Sequence, residues 1–189
     1  MVNIKKKLGF LILTITLIAI GVFFYWKNLQ TELVSLNESL PEDITITKTL
    51  TGDYKITNKI DGYSFKAPVT WDGIKEIEYT PEMEEEGYSF TSINFEGKIF
   101  GCGAIAISKV KSISKNDLIT QATSFFNTFG LVSEFDNKNI GKIKTIISKE
   151  NAGFIGSVKA YLFQKENYFY VITCCSGDFI EEIIINGTW

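Results

Sequence analysis

The chain opens with one continuous apolar run, which begins at Leu8, ends at Trp26 and contains no charge and no proline. A helix of these 19 residues reaches ~28 Å at ~1.5 Å rise per residue, close to the ~30 Å hydrocarbon thickness of a bilayer. Its two threonines, Thr14 and Thr16, can return their hydroxyls to the helix backbone. The pattern therefore predicts one transmembrane helix over residues 8–26.

Lysines on the two sides of this run predict its direction. Three lysines at residues 5–7 precede the run, and Lys27 alone follows it directly. Because basic residues are enriched on the cytoplasmic side, residues 1–7 are predicted in the cytoplasm and the rest of the chain outside it. The helix would then be a single-pass anchor in the lipid bilayer of the cell membrane.

Two other interpretations of the run stay open. A cleaved signal peptide has a similar beginning, although no small residues mark a cleavage site after the apolar core. A pilin-like N-terminus would be processed between Gly9 and Phe10, although Thr14 stands where pilins usually carry Glu. No cysteine lies near the end of the run, which excludes a lipidated N-terminal cysteine.

The next segment, residues 27–53, is polar and contains the breakers Pro41 and Gly52. Four leucines at helical spacing extend the predicted helix a few turns past the bilayer; they are Leu29, Leu33, Leu36 and Leu40. The segment is interpreted as a linker that holds a domain, residues 54–189, away from the membrane.

From Tyr54 onward, apolar and polar residues alternate as they do in half-buried strands. The pair Asp61 and Gly62 separates two such runs, the first of which ends at Ile60, and this pair is a strong signal for a β-hairpin. Further strands are predicted over residues 74–79, 89–95, 103–110, 142–149, 156–164 and 168–174.

Two helices are predicted among these strands. The first begins at a capping Ser114 and ends at Gly130, and the second covers residues 178–185. The apolar face of the first helix consists of Leu118, Ile119, Ala122, Phe125, Phe126 and Phe129. Strands, a helix, more strands and a last helix predict an α+β domain with a largely antiparallel β-sheet.

The stretch from Gly62 to Trp71 resembles the opening motif of PsbP-like proteins, in which a hairpin carries the pattern Gly-aromatic-x-Phe-x-x-Pro-x-x-Trp. The motif residues here are Gly62, Phe65, Pro68 and Trp71. Phe65 and Trp71 are expected to fill the interior of the sheet, while Pro68 ends strand pairing. The order of elements in the C-terminal half is similar too, so the resemblance covers roughly residues 54–186.

The resemblance implies an α-β-α sandwich, in which an antiparallel sheet is flanked by helices. The best-known members of the family bind the lumenal face of photosystem II, and many bacterial relatives are secreted lipoproteins. This chain lacks the lipidated cysteine of those relatives, and residues 186–189 depart from the usual closing residues of the family. A photosynthetic role is therefore not expected.

Composition narrows the possible functions. All 19 basic residues are lysines, and the chain contains no histidine. Histidine is the usual general base and the commonest zinc or copper ligand, so both roles lack their usual residue. Without arginine, the chain also lacks the side chain that captures phosphate through two parallel hydrogen bonds. The part of the chain after Lys27 carries a net charge of −7, which argues against a nucleic acid partner.

The three cysteines are Cys102, Cys174 and Cys175. In an oxidising compartment, Cys102 can form a disulfide with Cys174 or Cys175 but not with both, because adjacent strand residues face opposite sides of a sheet. Three buried thiols are the alternative. A redox or nucleophilic role for Cys174 and Cys175 would need a base that no histidine supplies.

The acidic run at residues 82–87 lacks the ligand spacing of a calcium loop, so a solvated loop is expected there. No catalytic, metal or cofactor constellation is recognisable in the sequence. The sequence therefore predicts a membrane-anchored, non-enzymatic binding or assembly module with an envelope protein as its partner. A thiol-based redox protein and a pilin-like subunit are the alternative functions.

Overall fold

The computed structural model describes residues 2–31, 33–67, 73–82, 87–99, 102–112, 117–131, 134–149, 159–174 and 177–189. Its helices are α1 (Val2–Thr31), α2 (Val34–Glu38), α3 (Leu118–Thr128) and α4 (Gly177–Asn186). Its strands are β1 (Ile44–Lys48), β2 (Tyr54–Asn58), β3 (Tyr63–Ala67), β4 (Ile74–Thr80), β5 (Tyr88–Ile99), β6 (Cys102–Lys111), β7 (Phe135–Ile140), β8 (Ile143–Ser148), β9 (Lys159–Lys165) and β10 (Tyr168–Cys174). The protein is thus α+β, as predicted.

α1 has an apolar surface that the rest of the molecule leaves uncovered. Its residues Gly9–Asn28 form a helix long and apolar enough to cross a membrane, and this stretch is 0% buried. The Thr14 hydroxyl donates to the Phe10 carbonyl and the Thr16 hydroxyl to the Ile12 carbonyl, both at 2.9 Å. The predicted return of both hydroxyls to the backbone is confirmed.

The strands form two antiparallel sheets. The small sheet has the order β1-β2-β3, and the large sheet has the order β4-β5-β6-β10-β9-β8-β7. β10 lies in the middle of the large sheet, paired with β6 on one side and with β9 on the other. The chain therefore adds its last strands to the centre of the large sheet and not to an edge.

Alternate residues of β10 face two separate hydrophobic cores. Tyr170 and Ile172 belong to the first core, which also contains side chains of the small sheet and of α4. Phe169 and Val171 belong to the second core, which α3 covers. The centre of the large sheet is therefore buried on both faces.

The segment that follows α1 differs from the predicted linker, because it contains α2 and β1. Leu33 is only 3% exposed and lies in the first core. The Asn37 side chain donates to the Ile46 carbonyl at 2.9 Å and accepts from the Ile46 amide at 2.8 Å. The Asn37 amide thus occupies the free edge of β1, where a neighbouring strand would otherwise bond. The breakers Pro41 and Gly52 hide the short alternating pattern of β1 in the sequence.

The predicted hairpin is confirmed, with β2 and β3 paired so that Asn58 lies opposite Tyr63. β2 ends at Asn58, two residues before the end of its alternating run at Ile60, because the turn takes four residues. Gly62 closes this turn at φ 76°, a backbone conformation that side chains with a Cβ rarely adopt.

The first predicted helix begins later than expected, at Leu118, and Asp117 is its N-cap. The Asp117 carboxylate accepts from the Thr120 amide at 3.1 Å and from the Thr120 hydroxyl at 2.8 Å. Asp and Ser are both good capping residues, so the sequence does not discriminate between the two starts. Ser114 lies outside the described residues.

The C-terminal end of α3 confirms the predicted glycine stop. Gly130 has φ 69°, and the Leu131 amide donates to the Phe126 carbonyl at 3.1 Å, which closes the last turn. Ile119 departs from the predicted apolar face, because it is 37% exposed on the outer side of the helix.

The strands predicted over residues 74–79, 89–95, 103–110, 142–149 and 168–174 are confirmed, as is the second helix. The strand predicted over residues 156–164 is confirmed from Lys159 onward, and residues 156–158 lie outside the described chain. β7 is missing from the prediction, because four consecutive exposed residues at the edge of the sheet hide its pattern.

Replacing Asn37 by Ala is expected to lower the free energy of unfolding by about 1–3 kcal/mol, because both Ile46 backbone groups lose their side-chain partner. Thermal unfolding of the full chain in detergent, with amide hydrogen exchange at Ile46, measures this effect. Ser39→Ala is the matched control, since the exposed Ser39 hydroxyl bonds within its own turn. Equal stability of the two variants would contradict the docking of this segment.

Candidate functional site

A groove of about 400 Å³ lies where α3 crosses the ends of β5, β6 and β10. We call it the α3 groove. Its apolar floor consists of Tyr88, Val110, Phe125 and Phe169. Its rim consists of Gly87, Lys111, Ser112, Gln121, Ser124 and Thr128.

Strand register and ring packing fix the floor of the α3 groove. Tyr88 lies opposite Val110 in the ladder of β5 and β6, and Val110 lies opposite Phe169 in the ladder of β6 and β10. Phe125 of α3 packs edge-on against Tyr88 at 5.5 Å and against Phe169 at 6.0 Å between ring centroids. Three neighbouring strands and one helix therefore hold the floor in place.

The polar wall of the groove is held by hydrogen bonds. The Ser112 hydroxyl donates to Gln121 Oε1 at 2.7 Å, and Gln164 Nε2 lies 3.4 Å from the same hydroxyl. Gln121 is 3% exposed, whereas Ser124 and Lys111 are exposed at the rim. The groove thus combines an aromatic floor, an amide and hydroxyl wall and one positive charge at its mouth.

This set of groups is suited to binding. Ligand pockets in proteins are typically apolar, with a few fixed polar groups that orient the ligand. Among its lining residues the groove holds no carboxylate, thiol or imidazole. A general acid and base pair that could exchange protons with a substrate is therefore missing from this lining.

A second polar site, which we call the Asp61 cluster, lies beneath the turn between β2 and β3. Asp61 is 5% exposed, and its carboxylate accepts from the Ser89 hydroxyl at 2.8 Å and from Asn58 Nδ2 at 3.1 Å. The Tyr79 hydroxyl lies 3.4 Å from the same carboxylate. The Tyr170 hydroxyl donates to the Asp61 carbonyl at 3.0 Å. The turn is thereby bonded to three strands of the large sheet.

Burial sets the electrostatics of this cluster. Desolvation raises the pKa of Asp61 above its usual value of 3.8, and the Ser89 hydrogen bond and the charge of Lys109 oppose this rise only in part. Desolvation likewise raises the pKa of Tyr79 and the pKa of Tyr170 to about 12. Both phenols therefore remain protonated donors at neutral pH.

The Asp61 cluster is closed to substrates. Asp61 is 5% exposed and Ser89 is 1% exposed, so a substrate would have to displace the β2–β3 turn to reach either group. Buried polar groups that satisfy one another fix the geometry of the elements that carry them. The cluster therefore serves to hold the small sheet in position over the large sheet.

Two of the four motif residues are described. Gly62 lies in the β2–β3 turn, and Phe65 is 2% exposed in the first core. The Phe65 ring stacks on Trp189 with centroids 6.3 Å apart, so its predicted role in filling the interior is confirmed. Pro68 and Trp71 lie outside the described residues.

The cysteines are only partly described. Cys102 opens β6 and Cys174 ends β10, and these strands are neighbours in the large sheet. Their ladder ends where Thr173 lies opposite Ala106, four residues along β6 from Cys102. The three side chains, with Cys175 as a whole, lie outside the described residues. The disulfide stays a prediction, and counting free thiols in the unfolded, unreduced chain tests it.

Within the described part of the chain, no three Cys, Asp or Glu side chains come together as a metal site. The acidic run at residues 82–87 is described only at its two ends, Glu82 and Gly87. The solvated loop at residues 82–87 therefore remains a prediction.

Sequence patterns predict neither the α3 groove nor the Asp61 cluster. Asp61 carries only a turn signal, and its burial depends on residues that lie far away in the chain, such as Ser89 and Tyr170. The apolar pattern of α3 does place Phe125 in the interior. The hydrogen bond between Ser112 and Gln121 has no counterpart in a sequence pattern.

Comparisons of the chain with known protein families, with curated proteins and with solved structures find no match. The resemblance of residues 54–186 to PsbP-like proteins therefore rests on the sequence motif and the order of the elements. It stays a prediction.

Replacing Asp61 by Asn is expected to remove a pH dependence of stability. Because the pKa of Asp61 is raised above 3.8, the folded chain binds the proton more tightly than the unfolded chain. The stabilising effect is complete below pH 3.8 and is lost as the pH rises through the folded-state pKa. Asparagine stays neutral, so the variant should gain stability relative to the wild type over that range.

Thermal unfolding of the full chain in detergent, followed from about pH 4 to pH 7, measures this difference. Asp61→Ala is the control: it also lacks the titrating carboxyl, so its pH profile should run parallel to that of Asp61→Asn but about 1–3 kcal/mol lower, because Asn58 and Ser89 lose their acceptor. Parallel pH profiles for the wild type and Asp61→Asn would show that Asp61 does not titrate as its burial requires.

Proposed function

We propose that this chain is a membrane-anchored, non-enzymatic binding module. In this proposal α1 spans the bilayer, the domain lies outside the cytoplasm, and the α3 groove receives an apolar side chain of an envelope protein. The observation that carries the proposal is the groove of about 400 Å³, whose floor is apolar and whose rim is exposed at Ser124.

The surface of α1 supports the anchor. Its large apolar side chains between Phe10 and Trp26 are 45–73% exposed. Each such side chain would gain about 1.5–3 kcal/mol on transfer from water to an apolar environment, so the helix favours a bilayer strongly. The excess of lysines at residues 5–7 supports an orientation with the N-terminus in the cytoplasm.

The lining of the α3 groove supports a protein partner. The strongest contacts in protein interfaces are aromatic or aliphatic side chains that enter desolvated pockets with a polar rim. The half-buried Tyr88 ring, backed by the buried rings of Phe125 and Phe169, offers such a pocket. Ser112 and Gln121 bond to each other, so the wall is formed before a partner arrives.

The absence of catalysis is part of the proposal. Among the described residues, Asp61 is the carboxyl group whose pKa is raised by burial, and it lies in the Asp61 cluster, away from the groove lining. Its neighbour Ser89 is 1% exposed. Turnover of a common hydrolysable or oxidisable substrate by the purified full chain would overturn this part of the proposal.

We further assign the domain to the α-β-α sandwich of PsbP-like proteins. The layers support this assignment, because α3 covers one face of the large sheet, and α4 packs on the other face with the small sheet. A role in photosynthesis is not carried over to this chain.

Retention of α1 is testable by the mass of the mature N-terminus. The anchor requires an N-terminus that includes residues 8–26. Cleavage after Gly9 with a methylated Phe10 would instead indicate a pilin-like subunit, and loss of the whole apolar run would indicate a signal peptide.

A photoreactive phenylalanine analogue placed at Ser124 is expected to form a covalent adduct of one discrete mass when the full chain is irradiated in its native membrane. Ser124 lies at the groove rim, so a bound side chain comes within reach. Thr123 is the matched control, because it is exposed on the next position of α3 but does not line the groove.

The proposal requires the adduct at Ser124 to be a protein and to be absent at Thr123. The substitution Thr128→Trp should fill the α3 groove and reduce the yield of the covalent adduct at Ser124. Equal adducts at both positions, or none at Ser124, would contradict binding in the groove.

A further inference from the structure

The outer face of the small sheet is polar and carries unpaired positive charge. Ile46, Ile56 and Phe65 point into the first core, so the alternate residues lie on the opposite face. We call this the lysine face; it consists of Thr45, Thr47, Lys55, Thr57, Ser64 and Lys66. It contains no carboxylate, although the chain after Lys27 carries a net charge of −7. The lysine face is thus positively charged on a domain whose net charge is negative.

Two like charges lie side by side on this face. Lys55 is the direct cross-strand partner of Lys66 in the ladder of β2 and β3. Side chains in such positions have Cβ atoms ~4.5–5.5 Å apart, and like charges there destabilise a sheet. Both lysines are exposed, and neither has an ion pair within the described part of the chain. An anion placed between them would remove this repulsion.

The small sheet that carries the lysine face follows α1 in the chain, and its strand β1 contacts α1. The apolar stretch of α1 ends at Asn28, and the helix continues to Thr31, which adds ~5 Å at ~1.5 Å per residue. The headgroup layer of a bilayer is also ~5–7 Å thick on each side. Leu33 is buried in the first core directly after α1, and α1 contacts β1. The small sheet is therefore held within reach of the membrane surface.

We propose that the lysine face binds the phosphate groups of anionic lipids in the membrane that α1 spans. Lys55 and Lys66 supply ammonium donors, and the hydroxyls of Thr57 and Ser64 beside them supply further donors to phosphate oxygens. The inference rests on the membrane anchoring proposed above, but it does not depend on the α3 groove.

Charge and position together favour lipids over other anions. A lysine close to an anionic membrane surface contributes about five-fold to binding at moderate ionic strength. A soluble polyanion has the same charge, but it has to be captured from solution. The membrane surface stays within reach of the lysine face throughout the life of an anchored chain.

The test uses the full chain in lipid nanodiscs made of phosphatidylcholine alone or of phosphatidylcholine with about a third of phosphatidylglycerol. Acetylation of each lysine by a neutral reagent is followed by mass spectrometry. Acetylation of Lys55 and Lys66 should be at least about five-fold slower in the anionic discs. Lys142 and Lys144 are the controls, because they are exposed on the hairpin of β7 and β8, at the β7 edge of the large sheet and outside the lysine face.

A single variant separates lipid binding from mere proximity to the membrane. Lys55→Gln removes the repulsion, so it should raise the unfolding temperature in phosphatidylcholine. In anionic discs the same variant should lose most of the protection of Lys66, and its gain in unfolding temperature should disappear. If the anionic discs slow the acetylation of Lys66 just as much in Lys55→Gln as in the wild type, the slowing reflects the local field of the membrane, and this result would overturn the inference.

Equal acetylation of Lys55 and Lys66 in the two kinds of disc would also overturn it, while leaving the anchor and the groove in place. Failure of the chain to enter either disc would overturn the anchor and this inference together. Protection of Lys142 and Lys144 to the same degree as Lys55 and Lys66 would show a general effect of the anionic surface, which likewise contradicts a defined binding face.

Discussion

Burial of the centre of the large sheet on both faces is the constraint that organises this domain. In β9 and β10, neighbouring residues such as Tyr161 and Leu162, or Tyr170 and Val171, belong to different cores. Each face therefore needs its own cover, and a one-residue slip in register would exchange the two sets of side chains. α3 covers one face. The small sheet and α4 cover the other.

The two covers are unequal, and both the α3 groove and the Asp61 cluster follow from this difference. α3 has 11 residues and is only ~16 Å long, so it leaves the half-buried Tyr88 at its edge partly uncovered beside the α3 groove. The small sheet, together with α4, instead covers the first core. Its turn then lies against polar ends of the large sheet, where Asp61 finds hydroxyl donors from Ser89 and Tyr79. One site is thus open and the other is closed.

Local patterns predict the elements that carry strong local signals. β10 is predicted to the residue, because its apolar run follows a polar turn at Glu166, which has φ 55°. The prediction misses β1 because this strand lies between the breakers Pro41 and Gly52, and it misses β7 because exposed polar residues replace the alternation at the edge of the sheet. The Asp61 cluster and the α3 groove are not predicted, because contacts between residues far apart in the chain, such as the hydrogen bond from Tyr170 to Asp61, produce no local sequence pattern.

From Leu33 onward, the predicted tether is part of the packed domain. Leu33 enters the first core just after α1 ends, and Asn37 bonds to the edge of β1. In the proposed arrangement the domain is held at the membrane with its groove open to one compartment. Labelling of Ser124→Cys by a membrane-impermeant maleimide in intact cells identifies that compartment most directly. Labelling above the wild-type background is predicted; labelling only after permeabilisation would contradict an extracytoplasmic domain.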